Sequence, residues 1–424
     1  MSRHPRQGND VGYKTCPICG KLFYVPSADW AYRRVVRFKH KYIKIEYYCK
    51  WSCLRKREAE IENKHKKIID KATERRTKSE MQLYDKNGWI ESSLIVHNKA
   101  AFVLAIGGRG IGKSYGVLKR LYEEKIPFIY MRRTLSQLEA VTVPALSPFN
   151  QINADCGYKV VITKNSKYTV GFYDGVETKE GRLTAYGECF GLGIALSTFA
   201  SVRGLSAEKY DVLLFDEIIP ERHEKKLKEE DLAFANALES LNRNRELAGR
   251  SPLKVIMLSN SNTLNSRIIA AIGCTDIVDT MARRHQTYKE VNNGDIAIIR
   301  YEDSPISQKK ADTALYRVIK NKDFQSMALD NEFAEADYEH VAQRPLQEYK
   351  ILCSVGDCTI CRHKSKPEYY VIAGVKAQER YSMLPIDKEA FQHKFFYVYG
   401  AWQNKRVFFQ SATAKLEFER GFDI

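Results

Sequence analysis

Residues 107–114 constrain this chain more than any other stretch, because they read Gly-Gly-Arg-Gly-Ile-Gly-Lys-Ser. Residues 102–106 before them are an apolar run typical of a buried strand, and residues 115–124 have the pattern of a helix. Glycines let the backbone turn its N–H groups towards phosphate, and the helix start adds partial positive charge. We therefore predict a phosphate-binding loop rather than a plain glycine-rich turn. The predicted nucleotide contacts are Gly107, Gly108, Arg109, Gly110, Ile111, Gly112, Lys113, which reaches the β- and γ-phosphates, and Ser114, which binds Mg²⁺.

A second motif lies about a hundred residues further along the chain. Residues 211–217 read Asp-Val-Leu-Leu-Phe-Asp-Glu, an apolar strand that ends in two carboxylates. After a phosphate-binding loop, Asp216 would hold the Mg²⁺ shell and Glu217 would polarise the attacking water. An acidic pair after a strand is common by chance, so the preceding loop makes this one informative. The sequence thus predicts ATP and Mg²⁺ as cofactors and hydrolysis as the reaction.

Around these motifs, apolar strands alternate with helical patterns. Residues 127–131 and 253–258 are further buried strands, residues 229–246 have helical spacing, and residues 158–173 suggest an inserted hairpin. This alternation predicts an α/β fold with a parallel sheet of the P-loop NTPase class. A strand between the P-loop strand and the Asp216 strand would fit the RecA-like (ASCE) branch, whose members work as oligomeric motors.

The charge of the chain is high and uneven. Its 424 residues carry a net charge of +16, and residues 1–99 hold 23 Lys/Arg against 11 Asp/Glu. Such a balance favours a polyanionic partner, although solvated basic residues on a helix also explain it. No run approaches 18 apolar residues and residues 1–10 are polar. We therefore expect neither a membrane span nor a signal peptide.

Two cysteine pairs near the N-terminus have the spacing of metal ligands. Cys16 and Cys19 form a C-x2-C pair in which Gly20 permits a tight turn, and Cys49 and Cys53 form a C-x3-C pair. In a reducing cytosol clustered cysteines are metal ligands more often than disulfides, and four sulfurs suit tetrahedral Zn²⁺. Basic and aromatic residues alternate between the pairs, which suits contact with a nucleic-acid backbone. Ordinary surface composition explains that alternation equally well.

A second cluster of potential ligands lies near the C-terminus. Cys353, Cys358, Cys361 and His363 fall within eleven residues. Three thiolates and one imidazole can close a tetrahedral zinc site, although two ligands one residue apart are awkward. We therefore expect a second Zn²⁺ at this cluster.

These patterns divide the chain into four regions. Residues 1–54 would form a zinc-ribbon-like basic module, and residues 55–98 a long charged helix with a linker. Residues 99–285 would form the P-loop ATPase domain. Residues 286–424 would form a smaller α+β domain.

The C-terminal region is predicted from short patterns. Residues 296–301 and 369–375 are typical of strands, and residues 395–402 with 406–410 suggest a hairpin. Residues 413–420 have the pattern of a closing helix.

Taken together, these motifs make the chain similar to the genome-packaging ATPases of small tailed phages, the terminase-large-subunit-like DNA encapsidation proteins. The similarity covers roughly residues 99–420. It depends on the loop at 108–115 and on Phe-Asp-Glu at 215–217. It also includes Phe-Ile-Tyr-Met-Arg-Arg (128–133), Arg-Asn-Arg-Glu (243–246), Leu-Ser-Asn (258–260) and Leu-Asp-Asn-Glu-Phe (329–333).

The resemblance implies roles for single residues. Arg243 matches a trans-acting arginine finger, which in a ring stabilises the γ-phosphate charge of a neighbouring subunit. Arg245 is the nearby alternative, and both would otherwise be part of a solvated helix end. Ser259 and Asn260 match a coupling motif, with Asn260 placed to sense the γ-phosphate. Arg109 would contact phosphate or switch between partners.

The resemblance also sets an expectation for the C-terminal domain, which in large terminases is an RNase H-like nuclease. Such a nuclease needs several carboxylates to hold two Mg²⁺ ions. The expected first strand, residues 369–375, contains no acidic residue. The resemblance therefore implies a vestigial nuclease-like domain that engages the portal or a packaging RNA. The remaining acidic residues are scattered at Asp387, Glu389, Glu417 and Glu419.

The predicted function is an ATP-hydrolysing motor that translocates double-stranded viral DNA into a procapsid. The resemblance implies a homo-oligomeric ring in the host cytoplasm, transiently at the procapsid portal, without nuclease activity. Two alternatives stay open. One is a helicase-like or mobile-element DNA-dependent ATPase, and the other is a zinc-containing nucleic-acid-binding protein whose P-loop is only a nucleotide switch.

Overall fold

The computed structural model describes most of the chain and divides it into two units. The described residues are 11–26, 33–38, 42–50, 52–57, 60, 82–221, 224, 227–261, 263, 266–319, 325, 329 and 340–424. One unit spans residues 1–82 and the other residues 83–424. The motif expected at 329–333 lies outside the described residues except for Leu329, and so does most of the long helix expected after residue 55.

The N-terminal unit contains two antiparallel hairpins and a short helical segment. Residues 52–57 are helical, and the buried core of the unit is formed by Cys16, Tyr48, Cys53 and Leu54. The hairpins pair β1 (Gly12–Thr15) with β2 (Leu22–Val25) and β3 (Arg33–Phe38) with β4 (Tyr42–Tyr47).

The second unit is built on a nine-stranded sheet. Its strands are β5 (Phe102–Gly107), β6 (Phe128–Arg132), β7 (Val160–Lys164), β8 (Thr169–Glu177), β9 (Leu183–Ala195), β10 (Val212–Asp216), β11 (Lys254–Ser259), β12 (Tyr288–Val291) and β13 (Ile296–Tyr301). Their order across the sheet is β12-β13-β5-β11-β10-β6-β9-β8-β7.

The sheet is mixed rather than wholly parallel. Its six central strands, from β13 to β9, are parallel. At the edges the pairing is antiparallel, between β12 and β13 on one side and between β9 and β8 and between β8 and β7 on the other. As expected, a strand lies between the P-loop strand β5 and the Asp216 strand β10, and that strand is β11. Because β12 and β13 complete the sheet, it extends to Tyr301, beyond the boundary at residue 285 that the sequence suggested.

Helices cover both faces of this sheet. Because successive residues of a strand point to opposite sides, each central strand contributes side chains to two buried clusters. One buried cluster joins Leu213 and Phe215 of β10 to Phe234 and Leu241, and the other joins Leu214 to Leu118. The helices of this part are α1 (Ser93–Val96), α2 (Lys113–Glu123), α3 (Leu135–Ala140), α4 (Asn150–Cys156), α5 (Glu230–Asn242), α6 (Arg267–Ala271), α7 (Thr275–Arg283), α8 (Pro305–Ala311) and α9 (Ala314–Val318).

A five-stranded sheet with its own core forms the C-terminal part. Its strands are β14 (Tyr349–Val355), β15 (Cys358–His363), β16 (Tyr369–Ala373), β17 (Arg380–Tyr381) and β18 (Val407–Phe409), in the order β17-β14-β15-β16-β18. Three helices follow or separate these strands, namely α10 (Pro385–Lys394), α11 (Phe396–Gln403) and α12 (Ala412–Phe422). Phe391, Phe395 and Phe418 pack with one face of the sheet.

Two expectations for this part were wrong. Residues 369–373 form the third strand of the sheet along the chain, not the first. The hairpin expected at 395–410 is helix α11 followed by β18, and β18 pairs parallel with β16. Parallel neighbours need a crossover connection, and here tertiary packing overrides the β-propensity of the aromatic run. The closing helix is confirmed as α12.

Within the described ranges, no helix combines the length and the apolar character that crossing a membrane requires.

Candidate nucleotide-binding site

The glycine-rich loop joins β5 directly to α2 and has a backbone that depends on glycine. Gly110 has φ +65° and Gly112 has φ +94°, in the left-handed region that side chains disfavour. A Cβ on Gly107 would lie 2.6 Å from Cδ1 of Ile111, whose side chain is buried. The loop is thus anchored inward through Ile111 while its turns stay free of side chains, as a loop that wraps phosphate requires.

Lys113 begins helix α2 and turns its ammonium group back onto the loop. Its Nζ donates to the carbonyl oxygens of Gly107 and Gly108, each at 2.7 Å, and to Oδ1 of Asn260 at 3.0 Å. The pKa of Lys113 is lowered to about 7, chiefly by burial and in smaller part by the nearby Lys310 and Arg109. Asp216 and Glu217 oppose this shift, and a polyphosphate in contact with Nζ would do the same.

The first carboxylate of the acidic pair lies beside the loop. Asp216 ends β10 and is buried, and its Oδ1 accepts a hydrogen bond from Oγ of Ser114 at 2.8 Å. Its Oδ2 accepts from the Tyr130 hydroxyl at 3.0 Å and from Arg132 at 3.3 Å. A hydroxyl and a carboxylate oxygen are hard ligands of the kind that Mg²⁺ prefers, so the donor set fits the expected ion.

The second carboxylate is held differently. Glu217 is about half exposed and has φ +57°, an uncommon backbone conformation for a residue with a side chain. Its Oε2 accepts a hydrogen bond from Arg132 at 2.5 Å. Arg132 therefore contacts both acids of the motif, and Glu217 projects from the carboxyl edge of the sheet.

The third strand at this edge contributes Asn260. Because β11 lies between β5 and β10, its end brings Asn260 within hydrogen-bond distance of Lys113. Ser259 is buried, and its hydroxyl donates to the carbonyl of Asn260 at 2.8 Å. The pair expected to act in coupling thus connects the P-loop lysine to the core of the sheet.

Arg109 at the tip of the loop has partners on two other segments. Its guanidinium forms an ion pair with Glu221, just beyond the acidic pair. Its carbonyl oxygen accepts a hydrogen bond of 2.5 Å from Nζ of Lys310, a half-buried residue on α8. The loop tip is therefore held from both sides.

Arg243 and Arg245 lie away from this edge. Arg245 is buried and donates to the carbonyl of Tyr210 at 2.7 Å and to Asp211 at 2.5 Å, immediately before β10 begins. Five residues of strand, about 16 Å, separate that end of β10 from Asp216. Arg243 is exposed, has φ +45° and donates to the carbonyl of Leu205 at 2.9 Å. Arg245 thus serves the fold, while Arg243 is accessible and remote from the P-loop of its own chain.

The structure brings the sulfur atoms of the first cysteine group together and separates those of the second. The Sγ atoms of Cys16, Cys19, Cys49 and Cys53 all lie within 4.8 Å of one another. The second group does not converge, so a zinc site there was a wrong expectation. Cys353 and Cys358 face the core that contains Phe391, whereas Cys361 packs on the opposite face with Tyr349, whose ring also contacts that of His363. Residues three apart on a strand point to opposite faces, which separates Cys358 from Cys361.

Sequence reasoning missed three contacts at the site, made by Tyr130, Arg132 and Lys310. A signal existed for Arg132, because it ends β6, and β6 is the parallel neighbour of β10. Strands of a parallel sheet present their carboxyl ends at one edge, so an arginine after β6 must lie near Asp216. Lys310 follows the P-loop by about two hundred residues, and no local sequence pattern indicated that it contacts the loop.

Comparison with solved structures shows a shared fold. The chain is similar to the Phi-28 gp11 DNA packaging motor, with a TM-score of 0.55 and 17% identity over 80% of this chain and 99% of that chain. It is also similar to a chain of the bacteriophage Phi-29 viral genome packaging motor assembly, with a TM-score of 0.54 and 18% identity over 78% and 99% of the two chains. No curated protein matches the sequence.

A family model gives the stronger result. The model of the podovirus DNA encapsidation protein (Gp16) family matches residues 84–360, more than half of the chain. The matched range contains the P-loop, the acidic pair and Arg243. It confirms the genome-packaging function that the motifs indicated, and the chain belongs to the podovirus DNA encapsidation protein (Gp16) family.

Proposed function

We propose that this chain is an ATP-hydrolysing motor that translocates double-stranded DNA into a procapsid. The observation that carries the proposal is the meeting of three strand ends at one edge of the sheet. Lys113 and Ser114 after β5, Asp216 and Glu217 after β10, and Asn260 after β11 form one connected group.

Each residue of this group would have a separate role in hydrolysis. The loop N–H groups and Lys113 would bind the β- and γ-phosphates, and Ser114 with Asp216 would hold Mg²⁺. When bound, Mg²⁺ neutralises charge on the phosphate oxygens. Glu217 would orient the attacking water and accept its proton. Asn260, which accepts a hydrogen bond from Lys113, would distinguish ATP from ADP.

Arg132 sets the orientation of the Glu217 carboxylate in this arrangement. The hydrogen bond from Arg132 occupies Oε2 of Glu217 and turns the carboxylate towards the guanidinium rather than towards a water. Full activity therefore requires Glu217 to turn from Arg132 towards the water. Its exposed side chain leaves room for that change.

The ring is proposed from the position of Arg243. Arg243 lies two residues from Arg245, which is bound near the start of β10 and away from the P-loop, so Arg243 would stabilise transition-state charge at a site on another subunit. We propose a homo-oligomeric ring at the procapsid portal, in the host cytoplasm. The C-terminal sheet would be a partner-binding part, vestigial as a nuclease, that contacts the portal or a packaging RNA.

The direct test is packaging in a defined system. Procapsids with their portal, linear double-stranded DNA, ATP and Mg²⁺ are mixed with the purified chain, and DNA protected from added nuclease is measured. Protection that requires hydrolysable ATP, with DNA-stimulated ATP hydrolysis, supports the proposal. Hydrolysis that DNA leaves unchanged in the presence of the portal would contradict it.

The same preparation separates the alternatives. A helicase would displace a labelled strand from a forked duplex, whereas a duplex translocase would leave it paired. A nucleotide switch would bind ATP without multiple turnovers. Either result would replace the motor proposal.

A further inference from the structure

We propose that the N-terminal unit contains a structural zinc site formed by Cys16, Cys19, Cys49 and Cys53. This inference goes beyond the motor function. Their Sγ atoms lie within 4.8 Å of one another, with 3.5 Å between Cys19 and Cys49 and 3.8 Å between Cys49 and Cys53. Four sulfurs around one Zn²⁺, each bonded at about 2.3 Å, would be about 3.8 Å apart. A disulfide needs about 2.05 Å, so these distances fit a shared ion.

The local backbone prepares this arrangement. Cys16 follows β1, its N–H donates to the carbonyl of Lys21 and its carbonyl accepts from Gly20, both at 2.9 Å. Gly20 has φ +72°, so the turn that brings Cys19 back over Cys16 requires glycine. On the other side, the N–H of Cys53 donates to the carbonyl of Lys50 at 3.1 Å, in a turn that leads into helical residues 52–57. A hairpin turn and a helix start thus each present two sulfurs.

The size of the apolar core explains why the unit needs a metal. Besides Cys16 and Cys53, the apolar residues buried among the described side chains of the unit are Val25, Tyr47, Tyr48 and Leu54, and only Tyr48 and Leu54 cluster with the cysteines. Complete burial of a leucine or aromatic side chain contributes about 1.5–3 kcal/mol, which is small against the conformational entropy of this many ordered residues. Binding of Zn²⁺ supplies folding free energy directly in units of this size.

The chemistry of the donors indicates a structural ion. Thiolates are soft ligands that select Zn²⁺ over Mg²⁺, so this ion is distinct from the one expected at Ser114 and Asp216. Four protein ligands fill a tetrahedral shell and leave no position for water or substrate. The family match begins at residue 84, so the site lies outside the range shared with the encapsidation proteins.

The experiment measures metal content in the full-length chain. Protein expressed with added zinc and purified under reducing conditions should retain about one Zn²⁺ per chain by elemental analysis. Cobalt substitution should give the d–d absorption and thiolate charge-transfer bands of a tetrahedral tetrathiolate site. Cys49→Ser should lose at least nine-tenths of the zinc. The matched control Cys156→Ser changes a cysteine of similar exposure outside the cluster and should retain it.

Two further measurements keep the result interpretable if Cys49→Ser loses structure. Limited proteolysis of the chelator-treated wild type should cut within residues 1–82 and leave 83–424 intact, with ATP binding unchanged. Cys361→Ser should keep its zinc, because Cys361 lies apart from Cys353 and Cys358. Three results would overturn the proposal. They are wild-type protein that holds no zinc after reconstitution, Cys49→Ser protein that keeps its full zinc content, and loss of zinc from Cys361→Ser but not from Cys49→Ser.

Discussion

At the scale of single residues, the site is a set of charges balanced against one another. Lys113 is buried between carbonyl oxygens and an amide, Asp216 is shared by Ser114 and Tyr130, and Arg132 spans both acids. Lys113, Asp216 and Arg132 therefore each have defined polar partners at this edge. When a nucleotide binds, phosphate oxygens must replace some of the contacts that Lys113 and Ser114 make with protein groups. The change in protonation that accompanies this replacement can be measured.

Protonation of Lys113 should accompany ATP binding. Because burial lowers its pKa to about 7, much of the free protein carries a neutral Lys113 at pH 8. Phosphate oxygens favour the charged form and raise the pKa, so binding takes up a proton at pH 8 and little at pH 6. Apparent affinity should accordingly fall as the pH rises above 7. Calorimetry in buffers of different ionisation enthalpy measures the uptake, and equal enthalpies at pH 8 would contradict it.

A buried arginine next to the site should matter for stability. Arg133 is almost fully buried and donates to Glu230 at 2.7 Å, while burial raises the pKa of Glu230 and Arg133 opposes that rise. Arg133→Met would leave Glu230 buried without its partner. We expect the free energy of unfolding to fall by about 3–5 kcal/mol at pH 8.

The pH dependence and a double variant test the cause. In Arg133→Met the pKa of Glu230 rises further, so the loss should shrink as the pH falls and the carboxyl becomes neutral. Arg133→Met combined with Glu230→Gln should recover part of the stability. Urea unfolding at pH 8 and pH 5.5 provides the comparison. A pH-independent loss that the double variant does not reduce would show that the ion pair is not the cause.

At the scale of elements, the end of β13 and helix α8 support the P-loop from the side. Tyr84 donates to the carbonyl of Glu302 at 2.7 Å, and Ser304 caps α8 through the N–H of Ser307. The helix then presents Lys310 to the carbonyl of Arg109. The loop conformation therefore depends on an element two hundred residues away.

Lys310→Met should weaken ATP binding through this contact. Loss of one charge-assisted hydrogen bond to the loop should reduce affinity by about 3- to 10-fold. Lys309→Met is the matched control, because it removes the same charge from the adjacent, exposed position of α8. Titration with a fluorescent ATP analogue compares the two variants. Equal affinity in both would mean that Lys310 contributes only general charge.

An element could be predicted from the sequence when local signals determine it, and could not when tertiary packing determines it. The P-loop, β10, β11 and α12 were predictable because glycine spacing, continuous apolar runs and helical periodicity are local signals. Helix α11 was not, since its aromatic residues favour strand locally and only packing in the C-terminal core makes it helical. Non-local pairing likewise decided that β12 and β13 extend the large sheet. The same limit applies to Arg132 and to the second cysteine group, whose partners depend on strand neighbours.

At the scale of the whole molecule, the proposed role of Arg243 implies that a single chain would be incomplete as an enzyme. Arg243→Ala keeps its own P-loop and acidic pair, and Glu217→Gln keeps its own Arg243. In a mixed ring, the P-loop site of an Arg243→Ala subunit can receive the arginine of a Glu217→Gln neighbour. ATP hydrolysis by the mixture should therefore exceed that of either variant alone, each of which should lose about 10³-fold.

Two controls define this experiment. Arg245→Ala should fail to be rescued by mixing, because its partners Tyr210 and Asp211 lie in its own chain. Arg250→Ala removes another partly exposed arginine of the same region and should stay active. Absence of recovery in assembled mixed rings would show that Arg243 does not act across subunits.

The most direct test of the central claim, that the acids ending β10 cleave a triphosphate held by the P-loop, is single-turnover hydrolysis by Glu217→Gln. The variant is mixed in excess with γ-labelled ATP and Mg²⁺, and bound and released phosphate are followed. We predict ATP binding within about 3-fold of wild type and a cleavage rate at least about 10²-fold lower, because only the water-activating carboxylate has changed. Glu208→Gln, at an exposed position remote from the loop, should behave as wild type. Cleavage by Glu217→Gln at the wild-type rate would contradict the account.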